Sequence, residues 1–270
     1  LGSLVHDALD RLYREPPGED AIPRPGDVRR WQARFAELLD EQVAASSVPV
    51  NHARRATLER ARAQVDAFLE AEAQNESGFR PRPEFLEVSF GPFDEDGAEG
   101  PKHPALELGD VQLRGRIDRI DVDDAGRAIV RDYKTGKKVA SAEKFAERGT
   151  LQIQLYMRVA ERVLDLDVVG GLYQPLGAVS PDDRKPRGLV AREVDELKEL
   201  GIVRTDRRES DEFELALAQA EETATLAASG MREGAIGRHP LNGECPKYCT
   251  FQPICRLERA LGIESGNGGD

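Results

Sequence analysis

The sequence has 270 residues, 39% of them hydrophobic and 33% charged, which is typical of a folded globular protein that can bury a real core. It contains no apolar run of membrane-spanning length and no signal segment, so it predicts a cytoplasmic protein with no membrane partner. The net charge of −12 argues against a large footprint on duplex DNA, because proteins with such footprints are usually basic. Since the first residue is Leu1 and not Met, we expect a fragment or a chain that has lost its start.

The N-terminal part of the sequence predicts three helices. Ser3 can cap the first of them, and a connector rich in proline and glycine, 15–25, follows it. Pro81 and Pro83 end the helical region, because proline disrupts a helix interior. Apolar residues at helical spacing place the three helices at about 4–14, 28–45 and 52–73.

The central part of the sequence predicts strands, two of which form a β-hairpin. Apolar residues predict a strand at 84–90, and the polar, acidic stretch 91–109 predicts a loop. The turn residues Asp123, Asp124 and Gly126 connect two further strands. These two strands cover 111–122 and 128–134.

The C-terminal part of the sequence predicts two more helices and two more strands. Taken in chain order, the elements predict an α/β fold with a mixed sheet. The helices are expected at 142–163 and 211–231, a strand at 168–173, an edge strand at 189–194, a loop at 175–186 and a loose tail at 262–270.

The hairpin carries charged side chains that suit a metal site. Asp132 and Lys134 are two residues apart and therefore point to the same face of their strand, whereas Tyr133 points to the other face. The hairpin is expected to bring Asp118 beside Asp132. Two carboxylates and an ammonium group suit a hard divalent cation and a negatively charged reacting group, as phosphodiester cleavage requires. An exposed edge strand with alternating charges would give a similar sequence and is the alternative.

Three further side chains are candidates for the same site. Gln152 and Tyr156 are four residues apart and share one helix face, from which they can reach phosphate oxygens or orient a water molecule. His6 can supply a neutral imidazole to a metal if the first helix packs over the hairpin. The alternatives are a pair at the edge of the core for the first two and a buried core histidine for His6.

Several clusters of basic residues are candidates for contacts with phosphate groups, although solvated helix or loop faces explain most of them. Lys137 and Lys138 are the exception, because they follow directly after the hairpin strand. The other clusters are Arg29-Arg30, Arg54-Arg55 with Arg60 and Arg62, and Arg184-Lys185 with Arg187.

The three cysteines, Cys245, Cys249 and Cys255, lie close together in the sequence. In a chain without export signals, this spacing favours a metal site over a disulfide bond. Three thiolates leave one ligand missing. His239 would complete a zinc site, whereas a cysteine from outside this segment would complete an iron–sulfur cluster.

These motifs together resemble the nuclease domain of the RecB/AddB type (RecB family exonuclease) in the PD-(D/E)XK nuclease superfamily. The resemblance covers most of the chain, and the order of the motifs makes it specific although each motif alone is weak. The motifs are GSLVH at 2–6, GRIDRID at 115–121, RDYKTG at 131–136, the pair Gln152 and Tyr156, and the cysteines at 245–255.

The resemblance implies a restriction-endonuclease-like α/β core, in which helices flank a central mixed sheet and an N-terminal helical segment precedes it. It implies one nuclease domain over 1–260, followed by a tail at 261–270. Within that domain we expect a helical part at 1–80, a catalytic core at 84–232 and the cysteine cluster at 239–260.

The resemblance also implies roles for the candidate site residues. Lys134 matches the lysine that orients or activates the attacking water and stabilises charge on the phosphate. Gln152 and Tyr156 match the pair that helps to position this lysine and the DNA. The positions that match ligands of the catalytic Mg²⁺ or Mn²⁺ are His6, Asp118, Asp132 and the main-chain carbonyl of Tyr133.

In the iron–sulfur branch of this family, three C-terminal cysteines and one cysteine upstream of the histidine motif hold a 4Fe–4S cluster. Cys245, Cys249 and Cys255 match the C-terminal set, but the upstream cysteine is not in this sequence. Either that segment was lost with the start of the protein, or this member binds another metal or none.

The first hypothesis is therefore a metal-dependent deoxyribonuclease, namely an exonuclease that acts on single-stranded DNA ends in repair or recombination, alone or with a helicase or repair complex. The sequence itself has no GxxxxGK(S/T) motif, so we expect no motor in it. The alternatives are a catalytically silent relative that binds DNA or acts as a scaffold, and an interaction module organised by the cysteine cluster. The intact set of two aspartates and one lysine argues against the silent relative.

Overall fold

A six-stranded mixed sheet forms the centre of the protein, and its strand order is β1-β4-β5-β6-β7-β8. The computed structural model describes residues 2–47, 51–92, 102–178, 180–235 and 237. Neighbouring strands are antiparallel except for the parallel pairs β5–β6 and β7–β8. The strands are β1 (Arg80–Phe90), β4 (Gly115–Val122), β5 (Arg127–Lys134), β6 (Asp167–Pro175), β7 (Arg187–Ala191) and β8 (Arg207–Arg208), and a separate two-stranded sheet contains β2 (Leu106–Leu108) and β3 (Val111–Leu113).

Helices flank this sheet, as the predicted α/β class requires. The N-terminal helices form one apolar core, which also includes Leu86 of β1 and Tyr133 of β5. A second core joins α5 and α6 to the sheet through side chains such as Ile153 and Phe213. The helices are α1 (Gly2–Arg14), α2 (Val28–Ala45), α3 (His52–Glu72), α4 (Phe145–Arg148), α5 (Gln152–Arg162) and α6 (Ser210–Arg232).

The contacts within the chain divide it into two units, Leu1–Thr225 and Leu226–Asp270. The first unit contains both sheets, the helices α1 to α5 and most of α6. In the second unit the described residues are 226–235 and 237, most of which form the end of α6. None of the helices in the described part of the chain is both long enough and apolar enough to cross a membrane.

The first strand is longer than the sequence predicts and includes both prolines that were expected to precede it. β1 begins at Arg80, so Pro81 and Pro83 lie within the strand. This is compatible with their missing N–H groups because β1 is an edge strand with a partner on one side only. The helix before it ends at Glu72, one residue before the predicted end.

Two of the predicted elements around the hairpin need correction. The expected single strand at 111–122 is divided at Arg114 into β3 and β4, because β3 pairs with β2 in the smaller sheet. The expected loop at 91–109 contains β2, whose short length gives little sequence signal. The hairpin turn and β5 agree with the prediction, since Asp123 accepts backbone hydrogen bonds from Ala125 and Arg127.

The predicted helix at 142–163 is in fact two helices. Gly149 adopts a left-handed φ of 60°, which ends α4, and α5 begins only at Gln152. The prediction was wrong because apolar residues continue at helical spacing across the break.

Two smaller predictions were also wrong. Ser3 does not cap the first helix, because α1 already begins at Gly2 and Ser3 lies within its first turn. The strand expected at the sheet edge, β7, has β8 as an outer neighbour, and the two residues of β8 are too few to predict. The predicted tail at 262–270 lies outside the described residues.

Candidate active site

The hairpin places two carboxylates opposite each other. In the β4–β5 pair Arg119 lies opposite Arg131, so Asp118 and Asp132 are the next facing residues. The backbone N–H of Tyr133 donates a hydrogen bond of 2.7 Å to Oδ2 of Asp118, which fixes the orientation of that carboxylate. The structure thus brings Asp118 and Asp132 together, as the turn chemistry indicated.

Asp132 lies on a central strand and not on an exposed edge. β5 has β4 and β6 on its two sides, and Asp132 is only 3% exposed. The alternative interpretation of the motif, an exposed edge strand with alternating charges, is therefore wrong. A carboxylate buried to this extent needs a partner of opposite charge.

Lys134 is that partner and is the centre of a chain of polar contacts. Its Nζ lies 2.7 Å from Oδ2 of Asp132 and donates a hydrogen bond of 2.7 Å to Oε1 of Gln152. The amide of Gln152 in turn donates to the hydroxyl of Tyr156 at 3.1 Å. The ring of Tyr173 lies 5.1 Å from the same ammonium nitrogen, within cation–π range. These contacts hold the ammonium group in one position beside the carboxylates.

Helix α1 brings His6 to the same place. Its Nδ1 lies 3.3 Å from Oδ1 of Asp118, and its ring packs edge-on against Tyr133 with centroids 6.0 Å apart. Hydrogen bonding to Asp118 raises the pKa of His6, and burial opposes this shift. The side chain is 25% exposed, so His6 is not a fully buried core histidine.

Glu87 is a member of the site that the sequence analysis missed. Ligand atoms of His6, Glu87 and Asp118 all lie within 4.8 Å of one another. In the β1–β4 register, Glu87 falls between Leu86 and Val88 and is therefore opposite Asp118. The pairing between β1 and β4 is non-local, so the spacing of motifs along the chain does not reveal it. A signal was available in the acidic side chain between two apolar residues of the predicted strand.

The backbone at Glu87 is unusual and explains how its carboxylate reaches the site. Its φ is 48°, in the left-handed region that residues other than glycine rarely adopt. Its neighbours Leu86 and Val88 pack into two different cores, so the normal alternation of the strand is broken at this residue. This local distortion places an acid, and not an apolar side chain, beside Asp118.

The electrostatics of the site favour the binding of a cation. Burial, together with the charge of Asp118, raises the pKa of Glu87 to about 7. The same two causes raise the pKa of Asp132 to about 6, although Lys134 opposes the shift. Three carboxylates share this space with one ammonium and one imidazole. A divalent cation among them would relieve the repulsion that raises both pKa values.

The donor set fits a hard divalent ion. Carboxylate oxygens and one imidazole nitrogen are ligands that Mg²⁺ and Mn²⁺ accept. His6, Glu87 and Asp118 form the group of converging ligand atoms in the described part of the chain, and Asp132, which is paired with Lys134, lies beside this group. The participation of Asp132 and of the Tyr133 carbonyl as ligands stays a prediction.

The second expected metal site lies outside the described residues. Cys245, Cys249, Cys255 and His239 all fall in the C-terminal segment for which the structure gives no description.

Comparison with known proteins agrees with this site. The chain resembles three curated bacterial proteins at low identity. It is 31% identical to an ATP-dependent helicase/deoxyribonuclease subunit of Desulforudis audaxviator strain MP104C over 60% of this chain, and 26% identical to the protein of the same name from Symbiobacterium thermophilum over 97%. It is 24% identical over 57% of its length to the exonuclease/helicase subunit RexB of Lactococcus lactis subsp. cremoris strain MG1363.

The chain spans only 14% to 26% of the length of these relatives. A family match covers almost the whole sequence, residues 1–256, and includes every residue of the site described above. On this match, together with the mixed sheet and its flanking helices, the chain belongs to the PD-(D/E)XK nuclease superfamily.

Proposed function

We propose that this protein hydrolyses phosphodiester bonds of DNA in a reaction that depends on Mg²⁺ or Mn²⁺. The observation that carries the proposal is the convergence of His6, Glu87 and Asp118 beside the ion pair of Asp132 and Lys134. A site of this composition offers ligands for a cation and a fixed positive charge for a phosphate group.

His6, Glu87, Asp118 and Asp132 would hold the divalent ion, with the main-chain carbonyl of Tyr133 as a further ligand. When bound, the ion would supply Lewis-acid chemistry, by acidifying water and by offsetting negative charge on the phosphate. The backbone N–H of Tyr133 keeps Asp118 oriented toward this position through its hydrogen bond.

Lys134 would orient the attacking water and stabilise the negative charge that develops on the phosphate. Its ammonium group is held by Asp132 and Gln152, so little reorganisation is needed during the reaction. Tyr156 holds the amide of Gln152 and lines the same face of α5. Gln152 and Tyr156 thus position the lysine, and both are placed to contact the DNA backbone as well.

At a finer level, we propose an exonuclease that acts on single-stranded DNA ends in repair or recombination in the cytoplasm, together with a helicase or a repair complex. The names of the relatives, which describe helicase/deoxyribonuclease and exonuclease/helicase subunits, support this assignment. We also propose that residues 1–260 act as one nuclease domain within such an assembly.

The test is digestion of end-labelled linear DNA and of closed circular DNA with Mn²⁺ or Mg²⁺. The wild-type protein is expected to degrade the linear substrates, and Lys134→Ala is expected to lower kcat by about 100-fold or more. Lys198→Ala is a matched control, because Lys198 is also paired with an aspartate but is exposed and remote in sequence from the site. Full activity of Lys134→Ala or Asp132→Ala would refute the proposed site, and cutting of closed circles would show an endonuclease.

We further propose that Cys245, Cys249 and Cys255 bind a 4Fe–4S cluster with a fourth ligand that the sequence does not identify. The close spacing of the three cysteines supports a thiolate-bound metal. The test is the absorbance of the purified protein in the thiolate-to-iron charge-transfer region, with analysis of iron and sulfide. A colourless protein that contains zinc would contradict the cluster and support the Cys3His site.

A further inference from the structure

A second concave surface opens directly beside the catalytic lysine. It is a pocket of about 640 Å³, and its lining includes Lys134, Gln152 and the segments 134–140 and 148–152. This volume lies within the range of sites that bind small molecules or single nucleotides. The break in the predicted helix at Gly149 contributes part of the wall, so the pocket exists because α4 and α5 are separate helices.

The charge of this pocket is opposite to that of the protein. The chain has 50 acidic and 38 basic residues, yet the pocket lining contains Lys134, Lys138 and Arg148 and no aspartate or glutamate. Lys138 and Arg148 are exposed, and neither has an acidic partner among the described residues. In an acidic chain that pairs many of its other cations, two unpaired cations in one concavity favour binding of an anion.

The pocket also has an apolar part. Val139, Ala140 and Leu151 line it, and all three are partly buried. Such a surface can accommodate an unpaired base or a sugar, whereas the bases of a duplex stay stacked within the helix. Cations combined with an apolar lining therefore fit a nucleotide of a single strand better than a duplex backbone.

We propose that this pocket binds a nucleotide of single-stranded DNA next to the scissile phosphate, with Lys138 and Arg148 contacting backbone phosphates. The inference rests on the proposed nuclease function, because it places the strand on the same side of Lys134 as Gln152. It also gives a role to the lysine pair that follows the hairpin, which the metal site does not use.

The test compares the double variant Lys138→Ala/Arg148→Ala with wild type. Affinity for a fluorescent oligothymidylate is measured by anisotropy in EDTA over a range of salt concentrations. Removing one phosphate interaction with a single strand reduces the slope of log K against log salt by about 0.7, so the slope of the double variant should be smaller by roughly 1.4. With Mn²⁺, its KM for single-stranded DNA should rise by about tenfold while kcat stays unchanged.

The control is Arg55→Ala/Arg60→Ala, which removes the same charge from exposed positions of α3 that do not line the pocket. The charge-conserving variant Lys138→Arg/Arg148→Lys should retain most of the salt dependence. An active double variant with wild-type slope and KM would overturn the inference and leave the nuclease function standing, as would an equal reduction in the control. If the wild-type protein cleaves no DNA but the double variant still shows the reduced slope, the nuclease function is refuted and the binding site is supported.

Discussion

Glu87 combines an unfavourable backbone conformation with an unfavourable charge. Its φ of 48° lies in a region that costs on the order of 1–3 kcal/mol for a residue other than glycine. Its carboxylate is mostly buried and faces Asp118, which raises its pKa to about 7. Such strain persists only where the surrounding structure enforces it, and it is common at functional sites. We therefore interpret Glu87 as a metal ligand and not as a structural residue.

The first prediction concerns this ligand. Glu87→Gln should weaken Mn²⁺ binding by about tenfold or more, because an amide is a poorer ligand for a hard cation than a carboxylate. Isothermal titration calorimetry on the metal-free protein measures the change. Glu84→Gln is the matched control, since Glu84 lies on the same strand but is exposed. Equal affinities of Glu87→Gln and wild type would exclude Glu87 from the metal site.

The second prediction follows from the raised pKa of Glu87. A carboxyl whose pKa is higher in the folded state stabilises folding at low pH, and this stability is lost as the pH rises through the folded pKa. For Glu87 the window runs from about 4.5 to about 7. The stability advantage of Glu87→Gln over wild type in EDTA should thus grow by about 2 kcal/mol between pH 5 and pH 8. Urea unfolding at several pH values tests this, and an advantage that shrinks with pH would contradict it.

At the scale of elements, a buried ionic network ties the N-terminal helices to the sheet. Arg119 of β4 is fully buried and contacts Glu72 of α3 at 2.8 Å and Asp121 at 2.5 Å. Asp121 also contacts Arg131 of β5 at 2.7 Å. Tyr13 of α1 joins the network by donating its hydroxyl proton to Glu72. Because α1 carries His6, the network fixes the helix that completes the site.

The third prediction concerns the stability that this network provides. Asp121→Ala removes the shared acid and leaves two buried guanidinium groups undercompensated, which should cost about 3–5 kcal/mol of unfolding free energy. Urea denaturation measures the loss. Glu209→Ala, which breaks the exposed pair with Arg192, should cost less than about 1 kcal/mol. Similar small costs for both variants would show that the buried network contributes little.

At the scale of the whole molecule, the fourth prediction links metal binding to folding. The ligands come from α1, β1 and β4, so the ion should bind the folded chain and not the unfolded one. Mn²⁺ at 100 times its Kd should raise the unfolding free energy by about 2.7 kcal/mol, and EDTA should reverse this. The shift should be smaller for Glu87→Gln at the same Mn²⁺ concentration. An equal shift in both proteins would place the ion elsewhere.

The sequence was sufficient where local chemistry determines structure. The turn at Asp123 and Gly126 and the strand leading to Asp132 were predictable because each depends on neighbouring residues only. The contact between Lys134 and Gln152 followed from the resemblance and from the helix after the hairpin.

Features that depend on distant pairing were not predictable. The prolines of β1 are tolerated because that strand lies at the sheet edge, which is a property of the whole sheet. Glu87 joins the site through the pairing of β1 with β4 and through a positive φ that its sequence does not indicate. The break at Gly149 was hidden because apolar spacing continues across it.

The distance in sequence between the converging side chains has a consequence for biosynthesis. The first of them, His6, is made early, but the polar chain that holds Lys134 is complete only when Gln152 and Tyr156 have been added. A nascent polypeptide still attached to the ribosome, or a proteolytic fragment that lacks either end of this span, would hold no complete set of groups. The cell would thus be protected from partly made copies of an enzyme that degrades DNA, since cleavage activity would appear only with the finished fold.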